Sequence, residues 1–269
     1  MRKACDGLIL RVSDVGEHDR ALVLLTADEG KLYITAKGAR SVKSKNASLC
    51  RICAYVNLEL YEKNDKYWLA EGSVNNGFFG LCEDLDTFSL ATYIMQLAEE
   101  ITGEGTDESE VLRMALNTLY VLENKRCSRE QAKATFELFA ANHSGFVPDL
   151  STCASCDCND FSGGLWLDVM NGAIICDKCQ KKRSGGLPMP ETDEFETRNL
   201  LLPLDSSALE AMRYVASAPL QRIFAYGITD PKSLDLLCRA AELYLLHHLE
   251  RDFDTLRFYK SLAKFNKQR

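Results

Sequence analysis

Arg20-Ala-Leu-Val-Leu-Leu-Thr26 and Lys31-Leu-Tyr-Ile-Thr-Ala-Lys37, joined through Asp28-Glu-Gly30, read as two strands and the turn between them. Both runs are rich in branched and aliphatic residues that fit a pleated surface, and the turn carries the glycine such a reversal needs. Outward from this hairpin, Gly7-Leu-Ile-Leu-Arg-Val12 precedes it. Ile52-Cys-Ala-Tyr-Val-Asn-Leu-Glu-Leu-Tyr61 and Tyr67-Trp-Leu-Ala-Glu71 follow. Five short strands with a long polar connection, Gly38 to Ser48, between the third and fourth predict a five-stranded OB-fold β-barrel over residues 1–80.

After Phe79 the hydrophobic period lengthens from two to about 3.6 residues. Leu90, Ile94, Leu97 and Ile101 share one face of a helix that Asp86 is placed to cap. Thr106 opens a second helix, with Val111, Leu112, Ala115, Leu116, Leu119 and Leu122 facing inward. Ser128-x2-Gln131 reads as a capping box for a third, and Phe136 and Phe139 on it are core. Helical periodicity returns from Ala208 to Ile223 and again after Asp230-Pro231, an aspartate cap followed by proline in the first turn. The expected organisation is a helical domain in two parts, 81–149 and 185–269, separated by an insertion at 150–184.

That insertion carries two cysteine hooks, Cys153-x2-Cys156 and Cys176-x2-Cys179, with 19 residues between them. Four thiolates at this spacing close tetrahedrally on one Zn2+ and leave no position for water or substrate, so the ion is structural. Cys158, a fifth thiol, can replace Cys156 if the turn demands it. Phe161, Leu165, Trp166 and Val169 are spaced as a short hairpin that folds over the metal, and Asn171-Gly172 reads as a tight turn immediately before the second hook. Cys50-x2-Cys53 lacks two further ligands and reads as buried thiols, and His143 is redundant beside a complete thiol set.

The 269 residues carry a formal net charge of -7, which disfavours a molecule coated all over for nucleic acid. The charge is segregated. From Gly30 to Leu58 there are six basic residues, Lys31, Lys37, Arg40, Lys43, Lys45 and Arg51, and no acidic one; from Glu83 to Glu110 there are nine acidic residues and no basic one. No apolar run is long enough to span a bilayer, and Asp6 falls where a signal peptide needs its apolar stretch, so a cytoplasmic protein with reduced cysteines is expected. No Walker sequence, dinucleotide fingerprint, metalloprotease spacing or Gly-x-Ser-x-Gly elbow is present, and a non-enzyme is expected. Lys37, Arg40, Lys43 and Lys45, on and after a barrel strand, suit successive phosphates. Tyr33, Tyr55, Tyr61, Tyr67 and Trp68 are open to two readings, barrel core or platforms for unpaired bases.

Several blocks together resemble the bacterial DNA repair protein RecO family of recombination mediators. They are Gly7-Leu-Ile-Leu-Arg11, Gly16-Glu-His-Asp-Arg20, Thr26-Ala-Asp-Glu-Gly30-Lys31, Ala36-Lys37-Gly38-Ala39-Arg40, Gly145-Phe-Val-Pro148 before the hooks, and Tyr259-Lys260-Ser261-Leu262. The resemblance spans essentially the whole chain. It implies an OB-fold barrel, a helical domain with an inserted four-cysteine zinc knuckle, and binding to single- and double-stranded DNA. It further implies annealing of complementary strands and, with RecR, loading of recombinase onto single strands coated by single-stranded-DNA-binding protein, with RecF and the recombinase as indirect partners. Carried onto this sequence, Lys37, Arg40, Lys43 and Lys45 are the expected DNA contacts, with Lys31 and Arg51 beside them. Arg239, Arg251, Arg257 and Lys260 are the expected rim of a groove for the coating protein's acidic C-terminal tail. The location implied is cytoplasmic and nucleoid-associated. The chain departs from the family pattern at Leu49-Cys50-Arg51-Ile52, where a proline-bearing segment is usual, and in its acidic balance, which predicts salt-sensitive binding confined to one face. The competing reading is a zinc-stabilised protein scaffold whose positive segment meets an acidic partner.

Overall fold

The computed structural model describes residues 2–41, 43–183 and 200–267; the acidic stretch Glu191 to Glu196 and the last residues of the basic segment after Cys179 lie outside them. The chain divides into two compact units, Met1–Arg129 with Phe253–Arg269, and Glu130–Asp252.

In the first unit, β1 (Arg2–Val15), β2 (Asp19–Thr26), β3 (Gly30–Ala36), β4 (Tyr55–Lys63) and β5 (Lys66–Asn76) close into a barrel in the order β1-β2-β3-β5-β4. The β3–β5 pair is parallel and the other neighbours are antiparallel. The expected five strands are present, and β1 is longer than its apolar run suggests. Its first half pairs with β4, Arg2 opposite Tyr61 through Leu8 opposite Tyr55, and its second half pairs with β2, Leu8 opposite Leu25 through Val15 opposite Asp19, across an irregularity at Ile9/Arg11. One strand thereby serves two neighbours and closes the barrel.

Ile9, Leu22, Leu24, Leu32, Ile34, Val56, Leu58, Leu60 and Leu69 fill the interior. Leu8, Val23 and Leu25, which alternate with these, are equally buried. They lie on the outer surface of β1 and β2, where α1 (Leu85–Ile101) and α2 (Ser109–Glu123) pack. Burial on both faces is why these two strands are near-continuous apolar runs, whereas β4 alternates. The Asp28-Glu-Gly30 turn is fastened to the connection between the helices: Lys31 N–H donates to Gly103 O (2.8 Å), Gly105 N–H to Glu29 O (2.9 Å) and Glu108 N–H to Ala27 O (2.7 Å). Gly30 has φ +62°, and a Cβ there would run into the Gly103 carbonyl oxygen, so this position requires glycine.

Helix α1 is capped by Asp84, whose side chain accepts from Thr87 N–H at 3.0 Å. The cap is therefore not Asp86, which sits in the first turn and faces Arg129 at 3.4 Å. The second helix begins at Ser109, three residues after the expected Thr106, because Glu108 Oε1 accepts from both Thr106 Oγ1 and Gly103 N–H, each at 2.9 Å, and shapes the preceding loop. Helix α7 (Asp254–Lys267) returns to this unit and packs on α1, with Tyr93 and Phe253 edge to face at 5.7 Å.

The second unit holds α3 (Arg129–His143), a four-stranded sheet, α4 (Asp177–Arg183), α5 (Ser206–Ser217) and α6 (Pro231–Leu249). The sheet contains β6 (Asp149–Cys153), β7 (Leu165–Asp168), β8 (Ala173–Cys176) and β9 (Leu201–Leu204) in the order β6-β8-β7-β9. The predicted hairpin is β7–β8, turning through Asn171-Gly172; Gly172 has φ +59°. Asp230 caps α6 through Ser233 N–H (3.1 Å), with Pro231 in its first turn.

Candidate functional site

Parallel pairing of β6 with β8 carries Cys153 and Cys176 to the same end of the small sheet, and each hook then turns back. Asp157, at φ +56°, donates its N–H to Cys153 O at 2.8 Å, and Cys156 N–H reaches the same oxygen at 3.2 Å. Helix α4 opens at once after Cys176 and presents Cys179 one turn on. The sulfur atoms of Cys153, Cys156, Cys176 and Cys179 all lie within 4.8 Å of one another, with Cys156 the exposed member. Ile175, Phe161 and Trp166 pack around them. Cys158 Sγ points to Asp160 O (3.8 Å) and stays outside the set.

The donor set fits a thiophilic divalent ion. Burial opposes ionisation of Cys153, yet the Cys176 N–H at 3.3 Å and further backbone and sulfur contacts hold its thiol down at about 6. The Cys179 thiol is pushed up to about 12, first by the Cys156 sulfur it faces and then by desolvation. One site thus ionises readily and its neighbour resists a second negative charge, a conflict that a bound cation removes. Sequence reasoning did not single out Arg213, which holds this arrangement in place. From α5 its Nε and Nη2 donate to Leu150 O at 2.9 and 2.6 Å, and Nη2 to Ser151 O at 3.1 Å, fixing the strand that ends in Cys153.

The basic residues of the first unit have distinct settings. Lys37, Lys43 and Lys45 are exposed, with Lys37 Nζ 6.0 Å above the Trp68 ring. Arg40 ties the loop to the β1–β2 turn, donating to Gly16 O (2.5 Å) and facing Asp14 (3.4 Å). Lys31 donates to Glu99 O near the end of α1 (2.7 Å), and Arg51 lies 4.2 Å over the Phe79 ring. Arg239 and Arg251 belong to the second unit, and Arg257 and Lys260 to the first, where Arg257 pairs with Asp254.

Among the aromatics, Tyr33 and Tyr61 are 47% and 46% exposed, and only Tyr67 packs against the barrel core. Tyr33 and Tyr67 line a cavity of about 210 Å³ in which Glu29, Asp65 and Glu104 outnumber Lys31, a net acidic setting that disfavours phosphates. Tyr61 stands directly opposite Trp68, and the next outward pair is Lys63 opposite Lys66. Neither lysine stands out in the sequence, where the two flank the turn Asn64-Asp65. The available signal was that turn, since Asn64 and Asp65 at φ +52° and +56° set the two lysines face to face.

The family description "Recombination protein O N terminal" matches residues 1–78, and "Recombination protein O C terminal" matches residues 82–257. The chain belongs to the Recombination protein O family. Curated relatives described as DNA repair protein RecO include those of Acetivibrio thermocellus (24% identical over 258 residues, 96% of each chain) and Symbiobacterium thermophilum (26% over 259 residues, 96% of each). That of Anaeromyxobacter dehalogenans is 28% identical over 264 residues, 97% of each chain. Recombination protein O members act in DNA repair and recombination as mediators and not as catalysts. The barrel, the helical part and a four-cysteine cluster able to hold a metal match that architecture. Among the described residues no helix is long and apolar enough to cross a membrane.

Proposed function

We propose that this protein docks DNA on the barrel through Lys37, Lys43 and Lys45, with Arg40 anchoring the loop that carries them. Lys31 and Arg51 add positive potential from positions already engaged by other groups. The observation that carries this reading is the exposure of three ammonium groups on one loop of a barrel whose β1 and β2 outer surfaces are covered by acidic helices. Held this way, two strands lose part of their mutual repulsion and meet at raised local concentration, so single- and double-stranded DNA bind and complementary strands anneal without covalent chemistry. One Zn2+ held by Cys153, Cys156, Cys176 and Cys179 ties the small sheet together. RecR and the acidic tail of single-stranded-DNA-binding protein are the direct protein partners; Arg239 and Arg251 of the second unit, and separately Arg257 and Lys260 of the first, are the residues proposed for the tail. RecF and the recombinase are reached through them, in the cytoplasm.

Replacing Lys37, Lys43 and Lys45 together by Ala is expected to lower affinity for single and double strands alike by more than about tenfold at low salt and to slow annealing. Titrating labelled oligonucleotide and duplex, with circular dichroism confirming the fold, measures this. Unchanged affinity and annealing in the folded variant would reject the DNA surface and leave the protein-only scaffold.

A further inference from the structure

On the outer surface of β4 and β5, cross-strand partners form successive rows: Glu59 opposite Glu71, Tyr61 opposite Trp68, and Lys63 opposite Lys66. Two neighbouring elements extend the middle row. Arg2 on β1 pairs with Tyr61 and lies 5.2 Å over its ring, and Lys37 beyond β3 lies 6.0 Å over Trp68. An aromatic pair is thus bounded by cations on three sides and by carboxylates on the fourth.

Each row carries a cost that folding alone does not explain. Like charges directly opposite each other on a sheet are destabilising. Arg2 offsets Glu59 at 3.6 Å, but among the described residues Lys63 and Lys66 have no carboxylate partner. Tyr61 exposes 46% of its surface on a strand whose inward positions are filled by Val56, Leu58 and Leu60. An exposed tyrosine and a partly exposed tryptophan beside an unpaired doublet of lysines match a ligand with flat apolar faces joined by anionic links. The Glu59–Glu71 row repels phosphates and so keeps such a chain on the aromatic row, from where Lys37 leads it to the basic loop.

We infer that Tyr61 and Trp68 form a stacking platform for unpaired bases of single-stranded nucleic acid, with Lys63 and Lys66 receiving the adjoining phosphates. This rests on the DNA-docking reading above and adds to it a distinction between strands, since stacked and paired bases in a duplex offer no face to Tyr61. The loop lysines then hold any phosphate backbone, and the β4–β5 surface selects the single strand.

The test compares Tyr61→Ala, Trp68→Leu and the pair Lys63→Gln/Lys66→Gln in the full chain, using labelled single-stranded oligonucleotide and its duplex. Trp68→Leu keeps apolar contact, and the exposed Tyr61 leaves the barrel interior untouched. Each aromatic substitution is expected to weaken oligonucleotide binding by about tenfold or more while duplex binding changes by less than about twofold. In a Trp166→Phe background the fluorescence of Trp68, then the sole tryptophan, is expected to quench on oligonucleotide addition and not on duplex addition. Equal losses for both DNA forms, or unaltered oligonucleotide binding together with no quenching, overturns the platform. If the loop variant still loses affinity in that case, the docking reading stands; if it does not, both fall.

Discussion

Replacing Cys176 by Ser is expected to release the metal and abolish protection of the β6–β9 sheet while the barrel stays folded. The sheet is small, with three of its strands only four residues long. Its strands β6 and β8 meet at the cluster through Cys153 and Cys176, the point that the proposed metal would tie together. Structural zinc sites supply on the order of 10 kcal/mol of apparent binding free energy at neutral pH, more than a sheet of this size contributes by itself. Loss of one thiolate also leaves three sulfurs crowded within 4.8 Å without their counter-ion. Hydrogen exchange on the full chain reads the outcome: amides of β6 to β9 lose protection on substitution or chelation, and those of β1 to β5 keep it. Cooperative loss across both units would contradict the local role, and full retention in the sheet would remove the metal from the account.

The second large effect is expected from Lys133→Met, at about 3–5 kcal/mol of destabilisation, the range for removing one partner of a buried charge pair. Lys133 on α3 is 5% exposed; its Nζ lies 2.8 Å from Glu137 Oε1 and 2.7 Å from Glu242 Oε2 on α6. Desolvation works against its charge, but the two carboxylates prevail and raise its pKa above the ordinary lysine value. A group raised in this way contributes stability throughout the range below its unfolded value, which includes neutral pH. Methionine fills similar volume and removes the cation that both carboxylates face between α3 and α6. Denaturant midpoints of variant and parent at neutral pH measure the loss. A loss below about 1 kcal/mol would show that the helices do not depend on this cation.

The hairpin at Arg20–Lys37 and the hooks were legible in sequence because each rests on local chemistry: strand propensity around a required glycine, and thiols at ligand spacing. The two-sided burial of β1 and β2 was written there too, as unbroken apolar runs. What escaped depends on distant partners. The first half of β1, Arg2 to Asp6, carries little apolar signal, since its role is to meet β4 some fifty residues later. Strands β6 and β9 are short, and among the described residues each pairs with a single neighbour in the sheet that carries the cysteine cluster. Asp84 caps α1 in preference to Asp86 because Arg129, far along the chain, holds it at 2.6 Å. The basic residues were visible as a charge run. Their separation into exposed Lys37, Lys43 and Lys45 and engaged Lys31, Arg40 and Arg51 required the packing of α1 and of the β1–β2 turn.

The salt dependence of single-strand binding tests the docking surface most directly. Each phosphate neutralised releases condensed counterions, so the logarithm of the association constant falls linearly with the logarithm of salt concentration, by about 0.7 per contact for a single strand. The Lys37/Lys43/Lys45→Ala variant should bind more weakly than the parent and with a slope shallower by about two. A parent affinity that does not change with salt, or a variant that keeps the parent's slope, would contradict the account.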